Sequence, residues 1–351
     1  MGISLSDEPK RSWSASRFAA VDYHLLSAAR RVVEGSLGCV PGEQLVIISD
    51  AERAPMQKAL AEAAEWAKVR VLCFALEDFG PRPLAELPET IVEALSSAQA
   101  SIYVARAGPD ELALRRQLVE RVGALSLRHG HMVGVTAELM ATGLSVDPHR
   151  IANTARALRS RLRPDSCVTA HTPAGTQLEL RCDPRFRWVD NTGIIRPGRW
   201  QNLPAGELLT APGTVSGVFV CNASMTVLPG AEAESPHASP VRLEIRDGRV
   251  TGVQCSSRAL DEAVSAFLRG GESQDRVGLF SFGTNMALSE PTGTLIVDQT
   301  LPGLHIALGM SYPDLTGADW DAPGQTVLTA EGSDIEIDGE PVMRSGRYLV
   351  S

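Results

Sequence analysis

Two stretches of the chain carry the side chains best suited to chemistry. The first, Trp200-Gln-Asn-Leu-Pro-Ala-Gly-Glu-Leu-Leu-Thr-Ala-Pro212, brings the carboxylate of Glu207 close behind the indole of Trp200 and the amide of Asn202. The second, Gly303-Leu-His-Ile-Ala-Leu-Gly309, carries the imidazole of His305 and is followed by the phenol of Tyr312. A carboxylate and a neutral imidazole are ligands for zinc, manganese, cobalt or iron, or else a general acid and base. A divalent transition metal takes about four to six N, O or S donors, and a pair of ions sharing a site also needs a bridging carboxylate. Glu207, His305 and Tyr312 are too few for that. Asp319 and Asp321, flanking Trp320, are candidate replacement ligands, and Glu207, His305 and Asp321 would make a three-donor site. Residue type alone leaves plainer readings open. A lone Glu after Ala-Gly accepts backbone hydrogen bonds, and a lone His between Leu304 and Ile306 sits hydrogen-bonded in a core.

Other catalytic patterns are missing. There is no Gly-x-Ser-x-Gly elbow, no His-Glu-x-x-His helix, no Gly-x-Gly-x-x-Gly turn and no phosphate loop. Arg128-His-Gly-His131 places two histidines at i, i+2, which on a helix would diverge and on a strand would share a face; without a third donor nearby they are expected to be a solvent-exposed pair. Cys221 has no adjacent base and is expected to be structural. The six cysteines, at 39, 73, 167, 182, 221 and 255, form no Cys-x-x-Cys pair, which fits reduced thiols in a cytoplasmic protein. A formal charge of −9 argues against a nucleic-acid partner, and the Arg-rich stretch 156–163 reads as the solvated end of a helix. No run approaches the ~20 apolar residues of a membrane span, and the amino terminus lacks the apolar segment of a secretory signal, so neither membrane insertion nor export is expected.

These side chains must be positioned by two domains, since 351 residues exceed the ~250–300 that one hydrophobic core usually serves. With 44% hydrophobic and 21% charged residues the chain is globular, and only a short segment, residues 1–19, is expected to be flexible. Residues 20–164 predict an α/β domain with a parallel sheet. Strand-like runs at 44–49, 69–74, 101–105 and 132–135 alternate with helix-like ones at 56–68, 89–95 and 111–122. An amphipathic helix at 148–161 closes that domain. Residues 165–351 predict a mostly β (α+β) domain of short strands, with one helix at 260–268 stopped by Gly270-Gly271 and a loop at 231–240. Asp247-Gly248, between alternating runs within 241–250, marks a hairpin turn.

The string Asn-Leu-Pro-x-Gly-Glu followed by Thr-Ala-Pro, with His305 before an Ala-x-Gly run and Tyr312 behind it, resembles the thermophilic aminopeptidase family of metallopeptidases, the family of aminopeptidases T and S. The resemblance is strong from Trp200 to Tyr312 and diffuse through the α/β half. It implies the family's two-domain fold, a homodimer, and a two-metal site assembled from four segments of the second domain. Glu207, His305 and Tyr312 match that pattern, and two segments depart from it. Val277-Gly-Leu-Phe-Ser-Phe-Gly-Thr-Asn285 is similar to the family's Gly-Glu-Phe-x-x-Gly-x-Asn motif, yet Leu279 stands where the ligand Glu is expected. Ala322-Pro-Gly-Gln-Thr-Val-Leu-Thr329 holds neither member of the family's His-x-Asp pair, with Gln325 near the expected His. Gln299 stands where many relatives carry an acid. What the resemblance implies is a metallopeptidase cleft without its metals: no cofactor, no catalytic residue, and a cleft marked by Trp200, Asn202, Glu207, His305 and Tyr312 that binds a peptide by backbone pairing. Such a protein would present a precursor peptide to modifying enzymes, as in ribosomal peptide natural-product biosynthesis. The alternative is a metal enzyme with a reduced site. That would be an aminopeptidase or, since relatives of this scaffold include iron-dependent dioxygenases that cleave dihydroxypyridine rings, a mononuclear-iron oxygenase. Such an iron site typically takes two His and a carboxylate, and His305 is the one plausible His.

Overall fold

The computed structural model describes residues 22–106 and 108–350; the segment 1–19, expected to be flexible, lies outside the described residues. Leu45-Val-Ile-Ile48 is apolar without alternation, and such a strand needs cover on both faces. Gln44–Ser49 is buried throughout, inside a five-stranded parallel sheet ordered Arg70–Ala75, Gln44–Ser49, Ala100–Val104, Arg128–His131, Arg199–Asn202. Helices Tyr23–Arg30 and Ala54–Trp66 cover one face, on Leu45, Ile47 and Ile102, while Glu89–Ser96 and Leu112–Ala124 cover the other, on Val46, Ile48 and Tyr103.

The sheet corrects the sequence expectation in two places. The strand expected at 132–135 is Arg128–His131, and Met132 and Gly134 lie just past its end, their N–H groups bonding to the carbonyls of Tyr103 (2.8 Å) and Ala105 (2.9 Å). Apolarity misled here because the loop is buried as deeply as the strand. Residues 199–202, within the range expected for the second domain, form the parallel edge strand beside Arg128–His131. They return because Ile195, Leu203 and Ala205 join the α/β core.

At the carboxyl ends of the parallel strands Arg82 is buried between Asp50, 2.7 Å from its Nη1, and Glu111, whose Oε1 accepts its Nε–H at 2.7 Å. Arg82 holds the Glu111 carboxyl below the ordinary carboxylate range. Helix Pro148–Arg159, capped by Asp147 and opened by its proline, then buries Ala155 and Leu158 in the second domain.

The second domain is mostly β, two antiparallel sheets face to face. The eight-stranded sheet runs Arg249–Gln254, Val241–Arg246, Thr214–Cys221, Gln177–Arg181, Cys167–His171, Asp334–Ile337, Glu340–Arg344, Arg347–Tyr348. The five-stranded one runs Gln325–Leu328, Gly303–Gly309, Val277–Gly283, Glu207–Thr210, Val189–Asn191. Phe219, Leu243 and Leu180 of the first meet Phe280, Phe282, Leu304 and Ile306 of the second in one core. The expected hairpin turns on Asp247 and Gly248, both at positive φ (47° and 79°). Cys221 is buried in this core, and desolvation pushes its thiol up to about 12, as suits a structural cysteine. No helix among the described residues is long and apolar enough to cross a membrane.

Candidate functional site

Side chains alternate along a strand. Since Leu208, Phe280, Phe282, Leu304 and Ile306 enter the sandwich core, the opposite face of the five-stranded sheet carries Glu207, Leu279, Ser281, His305 and Ala307. Gly206 sets the start of the Glu207 strand. Its φ is +141°, and a Cβ there would lie 2.8 Å from the amide nitrogen of Asn285.

Glu207 is 8% exposed, and its Oε2 accepts from Asn191 Nδ2 at 3.0 Å and Gln299 Nε2 at 3.3 Å. Among the described residues no cation pairs with it. Desolvation raises its carboxyl to about 7, against which the Asn191 amide pulls weakly down. The carboxylate opens on a cavity of about 190 Å³ lined also by Asn202, Leu279, Ser281, Gln299, Tyr312 and Gln325. Tyr312 holds a left-handed backbone (φ 51°), fixed by the N–H groups of Leu315 and Thr316 on its carbonyl, both at 2.9 Å. Such a conformation in a non-glycine residue costs about 1–3 kcal/mol and persists where neighbours over-determine it. The phenol donates to Gln325 Oε1 at 3.2 Å, so the two close one side of the cavity together.

His305 is not a wall of this cavity. It is fully buried, Nε2 lying 2.8 Å from the Leu301 carbonyl while Nδ1 accepts the Ala330 N–H at 3.2 Å. That pair of bonds selects the tautomer protonated at Nε2, and desolvation holds the ring neutral, its pKa lowered to about 4. The turn after Leu295–Asp298 descends close enough to cover the ring, because Gly283 leaves room: a Cβ there would collide with the Leu301 carbonyl. Asp298 holds that turn, its carboxylate accepting from the Ser224 hydroxyl, from Thr292 N (2.7 Å) and Oγ1 (2.6 Å), and from Gly293 N (2.9 Å). The sequence does not single Asp298 out, and its position directly before Gln299 is the one signal it offers.

The replacement ligands are engaged elsewhere. Asp319 pairs with Arg185 at 3.1 Å, and Asp321 accepts the Ser311 N–H at 3.0 Å, bracing the turn before Tyr312 from outside the cavity. Among the described residues no three His, Cys, Asp or Glu side chains converge as a metal site. The cavity's donors are one carboxylate and neutral amides and hydroxyls, with Leu279 facing them. Those residues do not fit a two-metal centre, and Glu207, His305 and Asp321 do not meet.

Trp200 and Asn202 lie on the edge strand of the parallel sheet, Asn202 reaching the cavity and Trp200 45% exposed. Beside them the Arg128–His131 strand overturns the expectation of an exposed histidine pair. His129 and His131 share a face but are buried there, with Ser101 Oγ 2.8 Å from His129 Nδ1 and His129 Nε2 3.1 Å from His131 Nδ1. Desolvation lowers both, His131 to about 4. A larger cavity, about 730 Å³, opens beyond Leu301 between Met286, Leu288, Arg347 and Tyr348, but its one carboxylate, Glu331, is bonded to Asn222. The smaller cavity is the better site, because it alone of the two holds a buried acid without a counter-charge.

No family model matches the chain, and no curated protein does. Among solved structures it is similar to AmpT from Thermus thermophilus, at 17% identity and a TM-score of 0.65, covering 94% of this chain and 100% of that one. It is also similar to 2,5-dihydroxypyridine dioxygenase from Pseudomonas putida KT2440, at 16% identity and a TM-score of 0.63, covering 92% and 96%. At such identities the likeness shows the fold alone, a distant aminopeptidase-like fold that two different activities share.

Proposed function

We propose that this chain is a non-catalytic peptide-binding protein on an aminopeptidase-like scaffold, holding the amino-terminal residue of a peptide in the Glu207 cavity. One observation carries the reading: Glu207 is a buried carboxylate whose partners are the neutral amides of Asn191 and Gln299, in a cavity where Leu279, Gln299 and Gln325 supply no further charge. A single negative charge in such surroundings is matched by a single positive one, and the α-ammonium of a peptide is a monocation with three donors. Binding through that end leaves the rest of the peptide free, as presentation to a modifying enzyme requires.

The test is calorimetric titration in the presence of a chelator, comparing amidated peptides having free amino termini with the same peptides acetylated. Binding that survives chelation and falls at least tenfold on acetylation is the expected result. Peptide cleavage that depends on a near-stoichiometric bound metal would replace this reading with that of a reduced-site metal enzyme.

A further inference from the structure

The buried histidines have a direction. Ser101 is fully buried, and among the described residues its hydroxyl has one partner, His129 Nδ1 at 2.8 Å. With the hydroxyl proton donated to that nitrogen, His129 carries its own proton on Nε2. That N–H lies 3.1 Å from His131 Nδ1 and donates to it, which leaves His131 protonated at Nε2. The opposite order would strand the serine proton in a place closed to water. His131 Nε2 itself has no hydrogen-bond partner among the described residues, although the residue is only 8% exposed. Its ring is clamped, stacked on Tyr103 (centroids 5.3 Å apart) and edge-on to Trp200 (5.7 Å).

One residue of the adjoining strand links this donor to the Glu207 cavity. His131 is in register with Asn202 on the adjoining strand, and Asn202 lines the cavity. Trp200, on the same face of that strand, leaves 45% of its surface to solvent. The cavity, at about 190 Å³, is smaller than the roughly 300–1,000 Å³ that enclose a drug-sized ligand, so it takes one residue and a longer peptide must leave it. We infer that His131 and Trp200 form a second subsite for the peptide beyond its first residue. His131 Nε2–H donates to a backbone carbonyl oxygen, and the Trp200 indole lies against the neighbouring side chain. The inference rests on the reading of the Glu207 cavity above.

Equilibrium dialysis against two probes separates the two claims: an equimolar mixture of amino-acid amides, which reach the Glu207 cavity alone, and an equimolar mixture of amidated tripeptides, which reach both places. The wild type is expected to retain tripeptides about tenfold better than amides, as one hydrogen bond and one aromatic contact allow. His131→Phe, which keeps a ring and removes the donor, and Trp200→Ala, at a half-exposed position that tolerates truncation, should each erase most of that advantage while leaving amide retention unchanged. Glu207→Gln should lower both. A tripeptide advantage that is absent in the wild type, or intact in Trp200→Ala, overturns the subsite and spares the cavity; no retention of either probe overturns both. Long-range ¹H–¹⁵N spectra supply a check that needs no ligand, since His131 protonated at Nδ1 would remove the donor.

Discussion

Replacing Glu207 with Gln removes a charge and keeps the shape, and the consequence depends on pH in a way that can be worked out. The carboxyl is raised from about 4.5 to about 7 by burial, which at about 1.4 kcal/mol per pH unit amounts to about 3 kcal/mol. The native state holds this proton more tightly than the unfolded chain. The stability it contributes is therefore fully present below about pH 4.5 and is lost as pH rises through about 7. Gln titrates nowhere, so Glu207→Gln should match the wild type near pH 4 and exceed it by about 3 kcal/mol at pH 8. For 351 residues, at about 2.1 cal/mol/K of unfolding entropy per residue, that is a melting temperature higher by about 4 °C. The new amide N–H has an acceptor waiting, because Asn191 Oδ1 is buried without a partner. Thermal melts of both proteins from pH 4 to 8 make the measurement, and titrations elsewhere cancel in the difference. A difference that stays flat with pH, or a variant less stable at pH 8, would refute the claim that Glu207 is a desolvated acid lacking a counter-charge.

His305→Ala should destabilise the fold by about 3 kcal/mol in denaturant melts, through a void and two backbone groups left without a partner, while peptide retention changes less than twofold. Selective loss of binding in a folded variant would return His305 to the site. Combining Leu279→Glu, Gln299→Glu and Gln325→His places three new donors around Glu207, and about one equivalent of zinc should then stay with the protein through gel filtration, as native mass spectrometry would show. Arg82→Met leaves Asp50 and Glu111 buried and unpaired, at a cost of about 3–5 kcal/mol near neutrality. Because both carboxyls are held low in the native state, they contribute stability above their unfolded values that is lost as pH falls, so this deficit should shrink in acid.

The fold was legible in the chain wherever burial and pattern agree. Leu45 to Ile48 reads as a strand covered on both faces, and Val241, Leu243 and Ile245 alternate up to an Asp-Gly turn, because both arrangements leave a period in the sequence. Arg128–His131 leaves no such period. Its face is polar because His129 is satisfied by Ser101 and by His131, the former a contact between residues 28 apart in sequence that no local window contains. In the structure Glu207, Tyr312 and Gln325, from three separate strings, line one cavity. Whether His305 faced it could not be read, since the answer lies with a turn 4 residues upstream and a carbonyl at Leu301 that reach the ring first. Residue type gives the donor, and only packing says what it is pointed at.

Charge balance links these observations. Two divalent ions bring four positive charges, and a site that holds them needs several carboxylates to make the sum tolerable in a buried place. Here Leu279, Gln299 and Gln325 are neutral, Asp298 is turned into the protein by Ser224 and Thr292, and Asp321 is committed to Ser311. Among the described residues Glu207 is the one carboxylate that lines the cavity, with amides rather than cations beside it. An uncompensated buried acid costs stability at neutral pH. In the proposed binding role a monocation entering the cavity ionises the acid, supplies the missing charge, and offsets the cost of burying that charge alone.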